Sequence, residues 1–307
     1  MKARLSNVRR AGGLPAVVGI GWVASVALAL QLLFAPAAHG IGGGFTNHIY
    51  GANIGWIFTG ISGGNGPVIG EFYCTGFVYS ANCGWISFGN PGGPANGYAY
   101  SNLGTDYGVN NIGGGQLSGM AYGANIGWIT FEQTYGQPHV DLHTGILSGY
   151  AYSANCGWMS FNSVVADMKI TSLSPGPLDG NGLPIAWEKE YFGMTGIDPN
   201  ADPDGDGMSS AQEYQAGTNP TDPNSRLRIT AVSANTIGST AVLTWTSVPS
   251  RLYYIEERTN LTTGAWVTNL TLGVVSPDVG STTTRGLTES AVTKRFFRVQ
   301  AVVPLSP

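Results

Sequence analysis

The stretch Ile49–Phe58, IYGANIGWIF, returns as VYSANCGWISF over 78–88, AYGANIGWITF over 121–131 and AYSANCGWMSF over 151–161. Four near-copies in one chain mark an internal repeat, with Trp56, Trp85, Trp128 and Trp158 keeping its register. The wider gap between Trp85 and Trp128 holds a degenerate copy, GYAYSNLGTDYG from Gly97. The period is thus about thirty residues or less, in the range of stacked or propeller-like repeats. In each copy the segments flanking Ala-Asn are rich in Tyr, Ile, Phe and Trp, while Ala-Asn-x-Gly supplies residues that tolerate a tight turn. Each copy reads as a β-hairpin. Val109–Gly119 and Val140–Gly149 resemble one another (QLSGMAY beside ILSGYAY), which adds a short third strand to the unit. One such unit has too little apolar surface to be stable alone, so neighbouring units must bury its face.

Because the tryptophan recurs in every full copy, packing between repeats is its expected role. The alternative is a ladder of stacking platforms for sugars, formed by Trp56, Trp85, Trp128 and Trp158. Between Ile41 and Ala166 the only charged side chains are Glu71, Asp106, Glu132 and Asp141, with no Lys or Arg. A surface so poor in charge and rich in Gly, Asn, Ser and Tyr suits association with something neutral, another protein or a glycan.

The 307 residues include 46 Gly, are 10% charged and carry a net charge of −4, enough chain for two or three domains with a buried core. No excess of Lys and Arg offers a groove for phosphate, so nucleic acid is not an expected partner. The amino terminus runs from Lys2, Arg4, Arg9 and Arg10 through the apolar segment Val17–Phe34 to Ala35-Pro36-Ala37-Ala38. Basic, apolar, then small residues is the layout of a secretory signal, expected to span 1–40 and to direct the chain to the cell surface or the exterior. The rival reading is an uncleaved membrane anchor, since the run approaches a span of about 20 residues. Three cysteines, Cys74, Cys83 and Cys156, leave at least one without an intramolecular partner. Cys83 and Cys156 stand where other copies have Ile54 and Ile126, so buried thiols replacing isoleucine compete with a disulfide as the reading.

The repeat domain is placed over 41–166 and a linker rich in Ser, Pro and Gly over 167–181. After Pro184, Ile185–Phe192 has helical apolar spacing, and Pro at the first turn is a usual helix start. From Arg226 to the end, LRITAV, AVLTWTSV, LYYIEER, AWVTNLTL and FFRVQAVV alternate polar and apolar residues between turn-forming clusters. They argue for an antiparallel β-sandwich over 226–307, and hence for a mainly β fold with a short helical junction.

That junction, 182–225, contains Asp202-Pro-Asp-Gly-Asp-Gly-Met-Ser-Ser-Ala-Gln-Glu213, which fits D-x-D-x-D-G with Glu at the twelfth position. Asp202, Asp204 and Asp206 aim oxygens inward at alternate steps, and Gly207 permits the sharp turn. Met208 offers its carbonyl, Ser210 ligates directly or through water, and Glu213 binds with both oxygens. Hard, all-oxygen ligation selects Ca2+ over zinc and over magnesium. Carboxylates this close repel without a cation, so the metal-free loop should be loose. The stretch Gly182–Ser225, GLPIAWEKEYFG through DPNADPDGDGMSSAQEYQAGTNPTDPNS, resembles the thrombospondin type 3-like or dockerin-type EF-hand segments of secreted bacterial proteins. The resemblance implies that Asp202, Asp204, Asp206, Ser210 and Glu213 bind calcium and stiffen a junction between modules. Two departures stand out: position eight is Ser209 rather than a large apolar residue, and no second full loop is present. Asp198, Asn200, Asp222 and Asn224 are candidates for a second, weaker metal site. The repeat also resembles a Tyr-Ser-x-Asn-x-Gly-Trp-Ile motif of secreted bacterial proteins, and the last module resembles fibronectin type III-like sandwiches.

Enzymatic signals are few. His139, Asp141 and His143 alternate, so an extended strand would place them on one face within reach of a transition metal, although no further ligand or base stands nearby. Glu71 and Glu132 are the carboxylates of a glycosidase pair only if the fold brings them together. No nucleophile elbow or phosphate loop is recognisable. The expectation is a non-enzymatic structural or adhesive surface protein with a calcium-stabilised junction. The alternative is a carbohydrate-binding accessory protein of a glycan-degrading system.

Overall fold

In a computed structural model of the chain, the described residues are 48–60, 66–161, 168–235, 240–288 and 295–306. The basic and apolar amino-terminal run lies outside them. Among the described residues no helix is long and apolar enough to cross a membrane. Among the described residues the fold is mainly β, with two short helices.

Strands β1 (His48–Gly51) and β2 (Gly55–Phe58) form the first antiparallel pair, followed by a small ribbon of β3 (Val68–Ile69) and β4 (Cys74–Thr75). The second pair is β5 (Phe77–Ser80) and β6 (Gly84–Ser87). A third, β8 (Leu117–Gly123) and β9 (Gly127–Phe131), is preceded by β7 (Val109–Asn111), which pairs along β8. Between the third and fourth pairs lie β10 (His139–Val140) and β11 (Leu147–Ser148), and the fourth pair is β12 (Tyr150–Ser153) and β13 (Gly157–Ser160).

The four pairs join edge to edge: β2 to β5, β6 to β8, β9 to β12 and β13 back to β1. Eight strands therefore close into a barrel-like ring rather than a solenoid or a propeller. Closure removes the exposed edges that an open array of such short strands would carry. The degenerate copy from Gly97 contributes no strand to the ring. Its chain wraps around Asp106, whose carboxylate accepts from Ala95 N at 3.0 Å, Ser101 N at 2.9 Å and Ser101 Oγ at 2.7 Å. Tyr100 from this loop is buried over Gly89 and Gly108, where a Cβ on either glycine would collide with its hydroxyl or ring.

Alternation along each strand sorts the repeat. Ile49, Val78, Ala121 and Ala151 on the first strands, with Ile57, Ile86, Ile129 and Met159 on the second, fill the interior together with Phe88, Phe131 and Phe161. Met168, Ile170 and Leu173, in the stretch read as a linker, are buried in this same core, which ties the stretch to the barrel.

The chain then forms α1 (Ile185–Phe192) and α2 (Ser210–Ala216), each ended by a left-handed glycine, Gly193 and Gly217. Beyond them, β14 (Ile229–Asn235), β15 (Thr240–Thr246), β16 (Leu252–Arg258), β17 (Val267–Thr268), β18 (Thr282–Thr288) and β19 (Phe296–Val302) make two three-stranded antiparallel sheets, in the orders β14-β15-β18 and β17-β16-β19. Leu243, Trp245 and Leu287 of the first share one core with Tyr253, Ile255 and Ala301 of the second. β18 was not expected from its sequence, TTTRGLT, in which only Thr283 and Leu287 are buried.

Candidate metal centre and exposed aromatic face

The loop from Asp202 is shaped by its own backbone. Gly205 N and Gly207 N donate to the two oxygens of Asp202 at 2.9 and 3.0 Å. Asp206 N donates to Asp204 Oδ1 at 3.1 Å, and Met208 N to Asp206 Oδ1 at 2.8 Å. Gly205 and Gly207 adopt φ of 77° and 96°, which side-chain-bearing residues avoid. One carboxylate oxygen from each of Asp202, Asp204 and Asp206 can thus lie within 4.8 Å of the others.

The chain leaves this loop into α2 through Ser209, whose hydroxyl accepts from Gln212 N while Gln212 Oε1 accepts from Ser209 N, a reciprocal cap. Serine rather than an apolar residue at position eight is explained by this capping role. Ser210 is buried, its hydroxyl turned to the Ala201 carbonyl at 3.2 Å. Met208 packs its side chain on the core of the C-terminal sheets.

Glu213 on α2 is 0% exposed, and neither of its carboxylate oxygens has a partner; Asp204 Oδ2 and Asp206 Oδ2 are likewise buried and unpartnered. Burial, together with the charges of Asp204, Asp206 and Asp202, pushes the Glu213 carboxyl up to about 7. Four orphaned oxygens on three carboxylates are an arrangement that a divalent cation would satisfy and that burial otherwise penalises. The donor set is all oxygen, as calcium requires.

Asp198 and Asn200 lie in one turn, and Asp222 and Asn224 in another. Each pair closes its own turn, Asp198 Oδ1 accepting from Asn200 N at 2.9 Å and Asp222 Oδ1 from Asn224 N at 3.0 Å.

The residue after Glu213 makes a contact that sequence reasoning missed. The Tyr214 hydroxyl donates to Glu71 of the barrel at 2.7 Å, and the Tyr214 carbonyl accepts from Arg251 Nη2 at 2.6 Å. Arg251 Nε donates to the Gln215 carbonyl at 3.0 Å, and its Nη2 lies 3.5 Å from Glu71 Oε2. Burial raises the Glu71 carboxyl, opposed by the Arg251 charge and the Tyr214 hydrogen bond. Barrel, α2 and C-terminal sheets meet on these three side chains. Beside them lies a cleft of about 360 Å³ lined by Glu71, Tyr98, Asn110, Trp187, Tyr191 and Arg251. A lone charge in a charge-poor stretch, Glu71, was the one signal for this contact in the sequence.

The repeat tryptophans face out of the barrel. Trp56, Trp85, Trp128 and Trp158 are 46%, 52%, 46% and 43% exposed, against the expectation that they pack between repeats. Interior positions of an eight-stranded ring are filled by the residues one step away, and the pleat sends the tryptophans to the other face. Each lies directly across from a tyrosine, Tyr50, Tyr79, Tyr122 or Tyr152, with ring centroids 5.1, 5.1, 4.9 and 5.0 Å apart.

The remaining candidates do not assemble. The strand holding His139 ends at Val140, and Asp141 instead turns its carboxylate to the backbone N of His143 at 2.9 Å and of Thr144 at 2.7 Å. Glu132 accepts from Thr134 N, Tyr135 N and Gly136 N in its own turn, while Glu71 is committed to Tyr214 and Arg251. Cys74, Cys83 and Cys156 are all buried free thiols, Cys74 pushed up to about 12 by burial. Comparison with family models, with curated proteins and with solved structures finds no match to the chain.

Proposed function

We propose that this is a secreted or cell-surface structural or adhesive protein in which a calcium ion braces the junction between a hairpin-repeat barrel and a C-terminal sandwich of fibronectin type III-like form. Asp202, Asp204, Asp206, the Met208 carbonyl, Ser210 and Glu213 are the ligands, in a loop of thrombospondin type 3-like or dockerin-type character. The observation that carries the reading is Glu213, buried with both oxygens unpartnered beside the unpartnered oxygens of Asp204 and Asp206. A bound cation converts that penalty into stabilisation. Because Tyr214 follows directly and bridges Glu71 to Arg251, ordering α2 at Glu213 also orders the contact between barrel and sheets.

A calcium titration tests it. Calcium should raise the melting temperature, by about 2.7 kcal/mol of stability at a hundredfold excess over Kd, and Glu213→Gln should abolish the gain. Calorimetry without binding at millimolar calcium overturns the proposal.

A second reading, carbohydrate binding, is favoured by the outward tryptophans on a face without Lys or Arg. Exposed indole faces stack on sugar rings without needing charge. A glycan array distinguishes the two: selective binding that falls on Trp85→Ala supports recognition, and no selective binding leaves the structural role.

A further inference from the structure

The residues just ahead of the calcium loop repeat its chemistry. Asp179–Glu188, DGNGLPIAWE, matches Asp204–Glu213, DGDGMSSAQE, at both glycines, the alanine, the leading aspartate and the closing glutamate. The geometry is also the same. Asp179 Oδ1 accepts from Asn181 N at 3.1 Å, as Asp204 Oδ1 does from Asp206 N at 3.1 Å. Asn181 Oδ1 accepts from Leu183 N at 2.7 Å, as Asp206 Oδ1 does from Met208 N at 2.8 Å. Both stretches run into a short helix, and Glu188 and Glu213 are each 0% exposed.

The two copies differ in the second atom of one side chain. With Oδ1 bound to the backbone, Asp206 turns a bare oxygen inward, whereas Asn181 turns an amide nitrogen inward. That nitrogen donates to Glu188 Oε1 at 2.7 Å and the Ile197 carbonyl at 2.9 Å, with Asp179 Oδ2 at 3.3 Å. Ile197 N adds a donor to Glu188 Oε1 at 2.8 Å. Glu213, by contrast, receives no donor on either oxygen. The first copy also lacks the leading ligand, because Pro177 stands where Asp202 stands in the second. It therefore gathers two carboxylates around an amide, where the second gathers four with no amide side chain between them.

We propose that the Asn181 amide does in the first copy what calcium does in the second, so that α1 is seated without metal and the chain takes one calcium ion, not two. An N–H pair can draw two or three oxygens together, but without a net positive charge it serves only where few carboxylates converge. Glu188 Oε2 has no partner, so the cage retains an oxygen that a cation would use once a carboxylate replaced the amide. Asn181 is thus the residue that sets the metal requirement of this half of the junction.

The count of one ion rests on the calcium reading of the Asp202 loop; the role of the amide does not. Isothermal calorimetry of the chelator-stripped full chain with calcium chloride should give one ion for the wild type and for Glu188→Gln. Asn181→Asp should melt at a lower temperature than the wild type in chelator and recover with calcium, since three carboxylates would then face one another. Two ions in the wild type with one lost in Glu188→Gln, or an Asn181→Asp protein as heat-stable in chelator as the wild type, would overturn the proposal. The stoichiometry of the wild type and Glu188→Gln decides it even where Asn181→Asp fails to fold. A wild type that binds no calcium, with Asn181→Asp still calcium-dependent, would remove the Asp202 reading and leave the amide assignment standing.

Discussion

The asparagine of each repeat grips the turn of the hairpin before it in the ring. Asn82 Nδ2 donates to the Ile54 carbonyl at 3.0 Å, Asn125 to Cys83 at 3.2 Å, Asn155 to Ile126 at 3.0 Å, and Asn53 closes the circle on Cys156 at 3.0 Å. The acceptor is always the residue between the neighbour's Asn and Gly, and its side chain, Ile54, Cys83, Ile126 or Cys156, is buried beneath the turn. The glycine that follows is left-handed in every copy, with φ of 71°, 76°, 72° and 76° at Gly55, Gly84, Gly127 and Gly157. Ala-Asn-x-Gly-Trp is thus a link between hairpins as much as a turn within one. Asn125→Ala should cost about 1 kcal/mol in chemical denaturation by leaving the Cys83 carbonyl short of its donor. Adjacent residues on opposite faces should differ more: Ile129→Ala about 2–5 kcal/mol through the cavity it opens, Trp128→Ala about 1 kcal/mol through its lost contacts with Tyr122 and Tyr107.

Among elements, α2 concentrates the most consequence in the fewest residues. Ser209 caps it, and its seven residues carry the buried Glu213, the hub Tyr214 and Ala216, which is buried in the core of the C-terminal sheets. Gln215 Nε2 adds a bond to the Ala301 carbonyl of β19 at 3.2 Å. Helices this short are unstable alone, so α2 is held by what it touches. Tyr214→Phe keeps the ring against Trp187 and Arg251 and removes only the hydroxyl that meets Glu71. About 1–3 kcal/mol should be lost, read as a lower melting temperature.

At the scale of the whole molecule, the described residues form one compact unit whose two cores are joined across α2 and by the returning carboxyl end. Leu305 packs on the barrel core, and its carbonyl accepts from Leu173 N at 3.1 Å. The barrel core contains no residue of the loop from Asp202 to Glu213. Removing calcium should therefore speed amide hydrogen exchange over 198–217 and leave β8, β9, β12 and β13 protected. Equal loss of protection in both would contradict a brace confined to the junction.

The sequence by itself determined the local units: the paired strands of each repeat, the helix after Pro184 and the spacing of the oxygen-bearing side chains from Asp202 to Glu213. Each is written in residues a few positions apart, through turn chemistry, period-two alternation and capping. Tertiary structure alone decided that the repeats close on themselves, because ring closure depends on how many pairs bring β6 to β8, and no single copy contains that information. It also decided which face of the hairpin is inside. Alternation separates Trp from Ile without saying which is buried, and an eight-stranded interior has room for isoleucine and phenylalanine but sends the tryptophans outward. Glu71, Tyr214 and Arg251 are far apart in the chain and met only on folding, so nothing local could announce the clamp through which α2 reaches the barrel.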